Sequence, residues 1–227
     1  MRTLVSALAA LLLSSAAHAL SLDQLTNKDA AGGLKEALTQ GAGKAVDLLG
    51  KENGFLGNPK VKIPLPGKLE KAADTLRSFG MGKQVDELET TMNRAAEAAV
   101  PEAKKLLVES IKKMSVEDAK GILTGGDNSA TEYFRKNTSA QLGEKFRPIV
   151  QKAMAKVKLA DKYDQFAGKA AKFGLVKEED SHMDNYVTEK ALDGLYLMIA
   201  DEEKAIRANP VGAVGSLAKK VFGSLGQ

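Results

Sequence analysis

Apolar residues recur at intervals of three and four along most of the chain, which is the spacing of one face of an α-helix. The spacing is clearest over residues 85–99 and 134–157. Alternation of apolar and polar positions, which is typical of half-buried strands, is scarce. The pattern therefore predicts an all-α fold, a single-domain helical bundle of roughly seven helices.

Helix starts and stops divide this pattern into segments. The predicted helices cover residues 32–49, 68–79, 85–114, 116–123, 129–158, 185–208 and 211–222, and "GMG" at 80–82 is predicted to be a turn. Pro101 should kink the third helix or begin a new one, and Pro148 should bend the long helix in which it lies. "SVED" at 115–118 has the spacing of a capping box, with Asp in place of the usual Glu. Residues 173–184 are predicted to form an acidic loop.

Residues 51–67, "KENGFLGNPKVKIPLPG", interrupt the helical pattern. Three prolines push the residues before them toward extended geometry, so this segment is predicted to be an extended strap. Val61, Ile63 and Leu65 alternate along it, and an extended chain directs all three side chains the same way. The three side chains are candidates for a lid over an apolar ligand site between long helices, or for a seal on the core.

The stretch "GILTGGDNSATEYFR", residues 121–135, resembles a ligand-binding loop at first sight. A phosphate loop needs lysine after its last glycine, but Asp127 occupies that position, and the series of acidic residues of a calcium loop is missing. Ser129 and Glu132 have the spacing of a capping box, while Gly125 and Gly126 suit a left-handed helix end. We therefore predict a helix-cap loop without a ligand.

"ALDGLYLMIA", residues 191–200, is apolar except for Asp193. A helix that is apolar on every side is normally central, and a buried carboxylate needs a partner. Arg94 is the predicted partner of a buried ion pair, with Arg135 as its substitute. In the alternative, Asp193 lies at a solvent edge and Arg94 bridges to Glu97.

The first nineteen residues have the three parts of a secretory signal peptide. Arg2 provides a positive start, residues 4–13 are apolar, and Ala17 and Ala19 form a small-x-small cleavage site. We expect residues 1–19 to be removed, residues 20–227 to form one helical domain, and the protein to be exported to the periplasm of a Gram-negative bacterium. The chain has no cysteine, which excludes a lipoprotein anchor and disulfides.

Charge and composition limit the classes of function. The chain carries 33 basic and 29 acidic residues, with a formal net charge of +4. The two signs are interleaved, and without a dense basic stripe we predict no nucleic-acid binding. Weak contact with an anionic membrane surface stays open.

The predicted C-terminal helix, residues 211–222, is the candidate for such a contact. Its apolar face would be formed by Val214, Leu217, Ala218, Val221 and Phe222, with Lys219 and Lys220 beside it. The face suits either a membrane surface or docking on the bundle.

Catalytic and metal-binding chemistry have few candidates. "KEEDSHMD" at 177–184 contains possible metal ligands, but His182 is the one histidine outside the predicted signal peptide. This excludes histidine-rich sites and the Glu-x-x-His pairs of di-iron bundles, so a solvated acidic loop is the favoured reading. With no cysteine and no Gly-x-Ser-x-Gly motif, an enzyme would have to use carboxylates. We predict no catalytic residues, no metal site and no cofactor.

Several segments resemble an uncharacterised bacterial family, domain of unknown function 4197. The resemblance covers about residues 20–222 and rests on "FLGNPKVKIPLP", "TMNRAAEAAVPEA", "GILTGGDNSATEYFR", "FRPIVQKAMAKV" and "YVTEKALDGLYLMIADEEKAIRANP". It implies an exported, mostly helical protein and no known activity, so no functional residue is carried over.

The sequence therefore favours a non-catalytic exported protein that binds a protein partner or an apolar ligand. A carboxylate-only enzyme and a membrane-surface protein that uses the C-terminal helix are the alternatives.

Overall fold

The structure is a computed structural model that describes residues 27–172 and 182–209. Within these ranges it contains helices and no strand, which confirms the predicted all-α class. The helices are α1 (Asn27–Leu49), α2 (Gly67–Leu76), α3 (Gly82–Ala99), α4 (Ala103–Lys113), α5 (Val116–Thr124), α6 (Ser129–Met154), α7 (Lys158–Lys172) and α8 (Met183–Ala208).

Helices α6 and α8 form the centre of the fold. Each is 26 residues long; they pack extensively on each other, α3 packs on both, and α1 packs on α8. One continuous hydrophobic core takes side chains from every helix and from the strap. Its largest fully buried members include Tyr196, Phe55, Phe134 and Phe146. Burial of aromatic side chains of this size stabilises the bundle more than any local helix propensity.

The long helix predicted over 129–158 is shorter in the structure. Helix α6 ends at Met154, and a short turn, in which the Val157 N–H donates to the Met154 carbonyl at 2.9 Å, leads into α7. The turn keeps Val157 in the core. The four-residue spacing of Phe134, Thr138, Leu142 and Phe146 continues to Val150 and Met154, which are buried. Ile149 and Ala153, one position earlier, are only partly buried. Pro148 lies inside α6 as predicted.

A tight hairpin connects α2 to α3. Residues Arg77–Met81 form the turn of this hairpin. Within it, Gly80 leaves helical geometry with a φ of 78°. Such a backbone conformation is accessible to glycine without strain. The predicted turn at "GMG" is therefore present. Further on, Pro101 lies in a 3₁₀ turn, Val100–Glu102, that separates α3 from α4, so the proline begins a new helix rather than kinking one.

In the structure the strap covers residues 50–66, because α1 ends at Leu49 and α2 begins at Gly67. It contains turns and then extended backbone. Side chains of the helices hold its backbone groups, rather than a partner strand. Asn93 of α3 accepts the Ile63 N–H at 2.8 Å and donates to the Ile63 carbonyl at 3.0 Å. The Tyr186 hydroxyl of α8 donates to the Pro64 carbonyl at 3.1 Å. Asn93 thus satisfies both backbone groups of Ile63, as a neighbouring β-strand would.

Gly194 allows the start of the strap to lie directly on α8. A Cβ at this position would meet the Phe55 ring at 2.7 Å and Val61 Cβ at 3.3 Å. Phe55 is fully buried at this contact. Glycine is required at position 194 because any side chain would collide with the aromatic ring.

Candidate functional site

An open groove of about 560 Å³ lies between α6 and the N-terminal half of α8. This volume lies within the range of small-molecule and peptide sites. The groove is lined by Ser139, Ala140, Gly143, Glu144, Arg147, Pro148, Gln151, Asn185, Thr188, Glu189 and Leu192. The lining mixes small, amide, hydroxyl and charged side chains.

Small residues on α6 create the depth of the groove. Ser139, Ala140 and Gly143 lie within about one turn of each other and share one helix face. A Cβ added at Gly143 would meet Leu192 Cδ1 at 3.9 Å, an ordinary contact distance. Steric packing therefore does not require glycine here, although glycine costs a helix interior about 1 kcal/mol relative to alanine. Its effect is to keep the groove open.

A buried hydroxyl without a partner lies in the groove lining. Thr188 of α8 is 3% exposed, and its Oγ1 has no hydrogen-bond partner among the described atoms. A buried polar group that stays unpaired costs about 1–3 kcal/mol. Thr188 would gain a partner if a bound molecule or a water entered beside it.

Two side chains of opposite charge line the same groove. Glu144 and Arg147 are exposed, and neither forms an ion pair with the described part of the chain. At one end, Gln151 Nε2 donates to Asp184 Oδ2 at 2.7 Å and bridges the two helices. With the exposed carboxylate of Glu189, which also lines it, the groove offers two anionic groups and one cationic group.

The predicted pair of Arg94 and Asp193 is wrong. The side chain of Asp193 is 53% exposed and accepts from Arg135 at 3.2 Å, so the substitute partner is the observed one. Arg94 instead donates to Glu97 at 2.6 Å, as the alternative had it. The reason is helix geometry: Asp193 lies off the buried stripe of α8, although its sequence neighbours are apolar.

Glu97 is a buried carboxylate that joins α3 to the strap. Its Oε1 accepts the N–H groups of Phe55 and Leu56, both at 3.0 Å. Its side chain is 6% exposed, with Arg94 on its other oxygen. These contacts anchor the start of the strap, a structural role that the sequence did not indicate beyond the Arg94–Glu97 spacing.

The cap loop is a helix start, as predicted, but its details differ. Gly125 has φ −83° and ψ −179°, so the predicted left-handed helix end is wrong for it, and Gly126 does not have a positive φ either. Glycine is needed at 125 because a Cβ would lie 2.2 Å from Ser129 Oγ. The Ser129–Glu132 capping box does not form, because the N-cap of α6 is Asn128, which makes no side-chain cap hydrogen bond. Asp127 is exposed in this loop.

Glu203 of α8 occupies the N-terminus of α6 instead. Its two oxygens accept the N–H groups of Ala130 and Thr131, each at 3.0 Å, and the Thr131 hydroxyl donates at 2.9 Å. Arg207 donates to the same carboxylate at 2.9 Å. An internal carboxylate therefore fills the position where a helix start would bind an external anion, which excludes a phosphate site here.

Sequence reasoning missed Glu203, although a signal for its burial exists. Every fourth residue of α8 from position 187 is buried, namely Val187, Ala191, Leu195, Ile199 and Glu203. Because residues four apart share a helix face, the series places Glu203 on the core side despite its charged neighbours.

Val61, Ile63 and Leu65 of the strap are 6%, 1% and 6% exposed and belong to the hydrophobic core. Their common direction agrees with the predicted alternation, and their packing supports the seal rather than the lid. No strap residue lines the α6–α8 groove, so the groove matches the expected position between long helices but not the expected neighbourhood of the strap.

Evidence for catalytic or metal chemistry is weak in the described residues. No group of three or more histidine, cysteine, aspartate or glutamate side chains there could hold a metal ion. Burial raises the pKa of Asp164, partly offset by the Met183 N–H that donates to it at 2.7 Å. Asp164 does not line the groove, so it does not form the pair of carboxylates in one cleft that an acid–base site needs. The acidic segment before His182, the signal peptide and the C-terminal helix at 211–222 lie outside the described residues.

None of the described helices combines the length and the apolar character needed to cross a membrane. A family model described as "Protein of unknown function (DUF4197)" matches residues 24–223, in agreement with the resemblance noted in the sequence. No curated protein and no solved structure matches the chain significantly.

Proposed function

Since the chain belongs to the DUF4197 family, whose description assigns no function, we propose from the geometry that it is a non-catalytic exported protein that binds a segment of a protein partner. The groove between α6 and α8 is the proposed binding site. The observation that carries the proposal is the open floor at Gly143 beside the buried, unpartnered hydroxyl of Thr188.

The shape of the groove favours a chain-like occupant. It runs between two 26-residue helices, and its volume of about 560 Å³ exceeds what a few waters fill. Its open side leaves room for the rest of a longer chain to continue into solvent. A short extended peptide fits such a groove, as in other modes in which a peptide lies along secondary structure.

The chemistry of the lining favours a peptide over an apolar ligand. An extended peptide brings backbone N–H and C=O groups that need partners, and the Asn185 amide and the Thr188 hydroxyl can supply them. Glu144 and Arg147 can bind side chains of opposite charge. An apolar ligand would bury these polar groups without compensation, which is unfavourable.

The carboxylate-only enzyme is the weaker reading, because the two carboxylates of the groove, Glu144 and Glu189, are exposed and lie on different helices. Binding of a partner without catalysis requires only the hydrogen-bonding and charged side chains that line the groove.

A glycine substitution tests the site without weakening α6. Gly143→Leu should fill the groove and abolish peptide binding, while it favours the helix because leucine is the better helix former. The probe is a peptide selected from a random phage-displayed library on the wild-type protein, with affinity measured by fluorescence anisotropy. Its binding should perturb amide NMR signals of residues 185–192.

Gly121→Leu is the matched control, because Gly121 is an exposed residue of α5 with no atom within 4 Å of an added Cβ. This variant should bind the selected peptide like the wild type. Failure to select any peptide, or equal binding by both leucine variants, would contradict the groove as a partner site.

Export to the periplasm is part of the proposal and is supported by the charged start, apolar run and cleavage site of residues 1–19. N-terminal sequencing of the protein from a periplasmic fraction should find a start within a residue or two of Leu20. Periplasmic protein that still begins at Met1 would contradict the predicted cleavage.

A further inference from the structure

A second concavity lies between α4 and the first half of α6. It has a volume of about 230 Å³ and is lined by Leu106, Glu109, Ser110, Lys113, Tyr133, Asn137, Thr138 and Gln141. All of these side chains except Leu106 carry polar atoms, so this polar cleft differs from the α6–α8 groove. Its volume corresponds to roughly seven waters at about 30 Å³ each, which is room for one small molecule.

Ser110 provides an unsatisfied polar group in the wall of the polar cleft. The residue is 8% exposed, and its Oγ has no hydrogen-bond partner among the described atoms. A buried hydroxyl in a folded protein normally has a partner. The oxygen is buried beneath the wall of the polar cleft. A rotation of the Ser110 side chain would present it to a molecule in the cleft, both as a donor and as an acceptor.

Neighbouring groups leave further hydrogen-bonding capacity. The Tyr133 hydroxyl donates to the Ser110 carbonyl at 3.1 Å, and burial raises the pKa of Tyr133, which keeps the phenol neutral. Its oxygen can still accept a hydrogen bond. Asn137 donates one N–H to the Tyr133 carbonyl at 2.7 Å, which leaves its amide oxygen available.

The charges at the polar cleft balance. Glu109 and Lys113 lie four residues apart on α4, and each contributes one charge of opposite sign at the rim. The interior offers hydroxyl and amide groups, which donate and accept equally well. An ion would find no net complementary charge, and an apolar molecule would leave these groups unpaired.

We propose that the polar cleft between α4 and α6 binds a small, uncharged, multiply hydroxylated molecule, such as a sugar or polyol. Ser110 at the wall and Asn137 and Gln141 along α6 form its hydrogen-bonding surface. The site is separate from the peptide groove, because no residue lines both concavities.

Titration of the isotope-labelled full-length mature protein with glycerol and with glucose tests this proposal by amide NMR shifts. One of the two should shift signals of residues 110–113 and 133–141 in a saturable way at millimolar concentration. Ser110→Ala should weaken the binding about three- to tenfold, because one hydrogen bond is lost. The fold should persist, since the removed hydroxyl has no partner within the described protein.

Ser139→Ala is the control, because Ser139 is a small hydroxyl residue of α6 that lines the other groove. It should leave the affinity unchanged. Sulfate and decanoate serve as charged and apolar comparison probes and should not shift the same signals. Absence of saturable shifts with both polyols would show that the polar cleft holds water only and would overturn the proposal. Equal shifts with sulfate, or full affinity in Ser110→Ala, would overturn it as well, because binding would then not depend on an uncharged ligand or on the Ser110 hydroxyl.

Discussion

Helices α5 and α6 begin with the same local pattern but are stabilised in different ways. Ser115 and Asp118 stand three residues apart, as do Ser129 and Glu132. At α5 the capping box forms: the Asp118 N–H donates to Ser115 Oγ, and the Ser115 N–H donates to Asp118 Oδ2, both at 3.0 Å. At α6 no such box forms, and the N-cap residue Asn128 makes no side-chain bond.

Burial explains the difference. Ser115 and Asp118 are exposed, so the local side chain competes only with water for the free N–H groups of α5. The first amides of α6 lie in the interior, where Glu203 of α8 binds Ala130 and Thr131. A capping pattern therefore predicts a helix start, whose free N–H groups need hydrogen-bond acceptors. Whether a local side chain or one from another helix accepts those hydrogen bonds depends on the burial of the helix start.

The largest expected effect comes from removing the remote cap, which is the Glu203 carboxylate of α8 at the N-terminus of α6. Glu203→Ala leaves two buried N–H groups and the Arg207 guanidinium without their acceptor, so we expect a loss of about 3–5 kcal/mol in the free energy of unfolding. Chemical denaturation measures it. The matched Glu132→Ala should change stability by less than about 0.5 kcal/mol. Equal losses in the two variants would mean that the local box stabilises α6 in solution.

A smaller effect is expected at Arg207, which orients the remote cap. Arg207 Nη2 donates to Glu203 at 2.9 Å and to the Ile122 carbonyl at 2.8 Å. Arg207→Ala should cost about 1–3 kcal/mol, because Glu203 keeps its backbone donors while the Ile122 carbonyl loses its partner. The control is Arg147→Ala, in which an exposed arginine without an ion pair is removed. Thermal unfolding that is unchanged in Arg207→Ala would show that the amides alone satisfy Glu203.

The local box should contribute less than the remote cap. Ser115→Ala removes the acceptor of the Asp118 N–H, and we expect about 0.5–2 kcal/mol of destabilisation. Ser129→Ala, its counterpart at α6, should stay within about 0.5 kcal/mol, since Ser129 does not cap the helix. Urea denaturation of the two variants compares them directly. A larger loss in Ser129→Ala would reverse the assignment of the two caps.

The smallest expected effect is the pH dependence of stability that arises from Asp118 in the local capping box. Hydrogen bonds from the Ser115 N–H and hydroxyl lower the pKa of Asp118. Because the folded-state pKa is depressed, the contribution to stability is present above the unfolded value of about 3.9 and is lost as pH falls through the lower folded value. An NMR titration should place the Asp118 midpoint below that of an ordinary aspartate. Ser115→Ala removes the hydroxyl and keeps the Ser115 N–H, which is the larger cause, so the midpoint should rise only part of the way to the ordinary value. An unchanged midpoint would show that the hydroxyl does not contribute, and a full return would contradict the role of the N–H.

The two acidic residues of α8 show how far sequence context can mislead. Asp193 stands among apolar residues and is exposed, whereas Glu203 stands among charged residues and is buried. Ten residues separate them, which places them on different faces of a helix with 3.6 residues per turn. The composition of a sequence window averages over all faces of the helix. The burial of a side chain depends only on the face on which that residue lies.

The α6–α8 groove was predicted only in outline. A site between long helices was expected, but Gly143 and Thr188 were not singled out, because an open space and an unpaired hydroxyl appear only when two helices have been packed. The polar cleft around Ser110 was missed for the same reason.

The sequence by itself determined the helical class, most helix positions, the turn at Gly80, the inward direction of Val61, Ile63 and Leu65, and the capping box at Ser115. All of these depend on residues within a turn or two of each other. The tertiary structure alone decided that Glu203 caps α6, across 73 residues of chain. It also decided that Arg94 binds Glu97 rather than Asp193. The physical reason is that the partner of a buried polar group is set by which helix faces meet, and only the folded core brings those faces together.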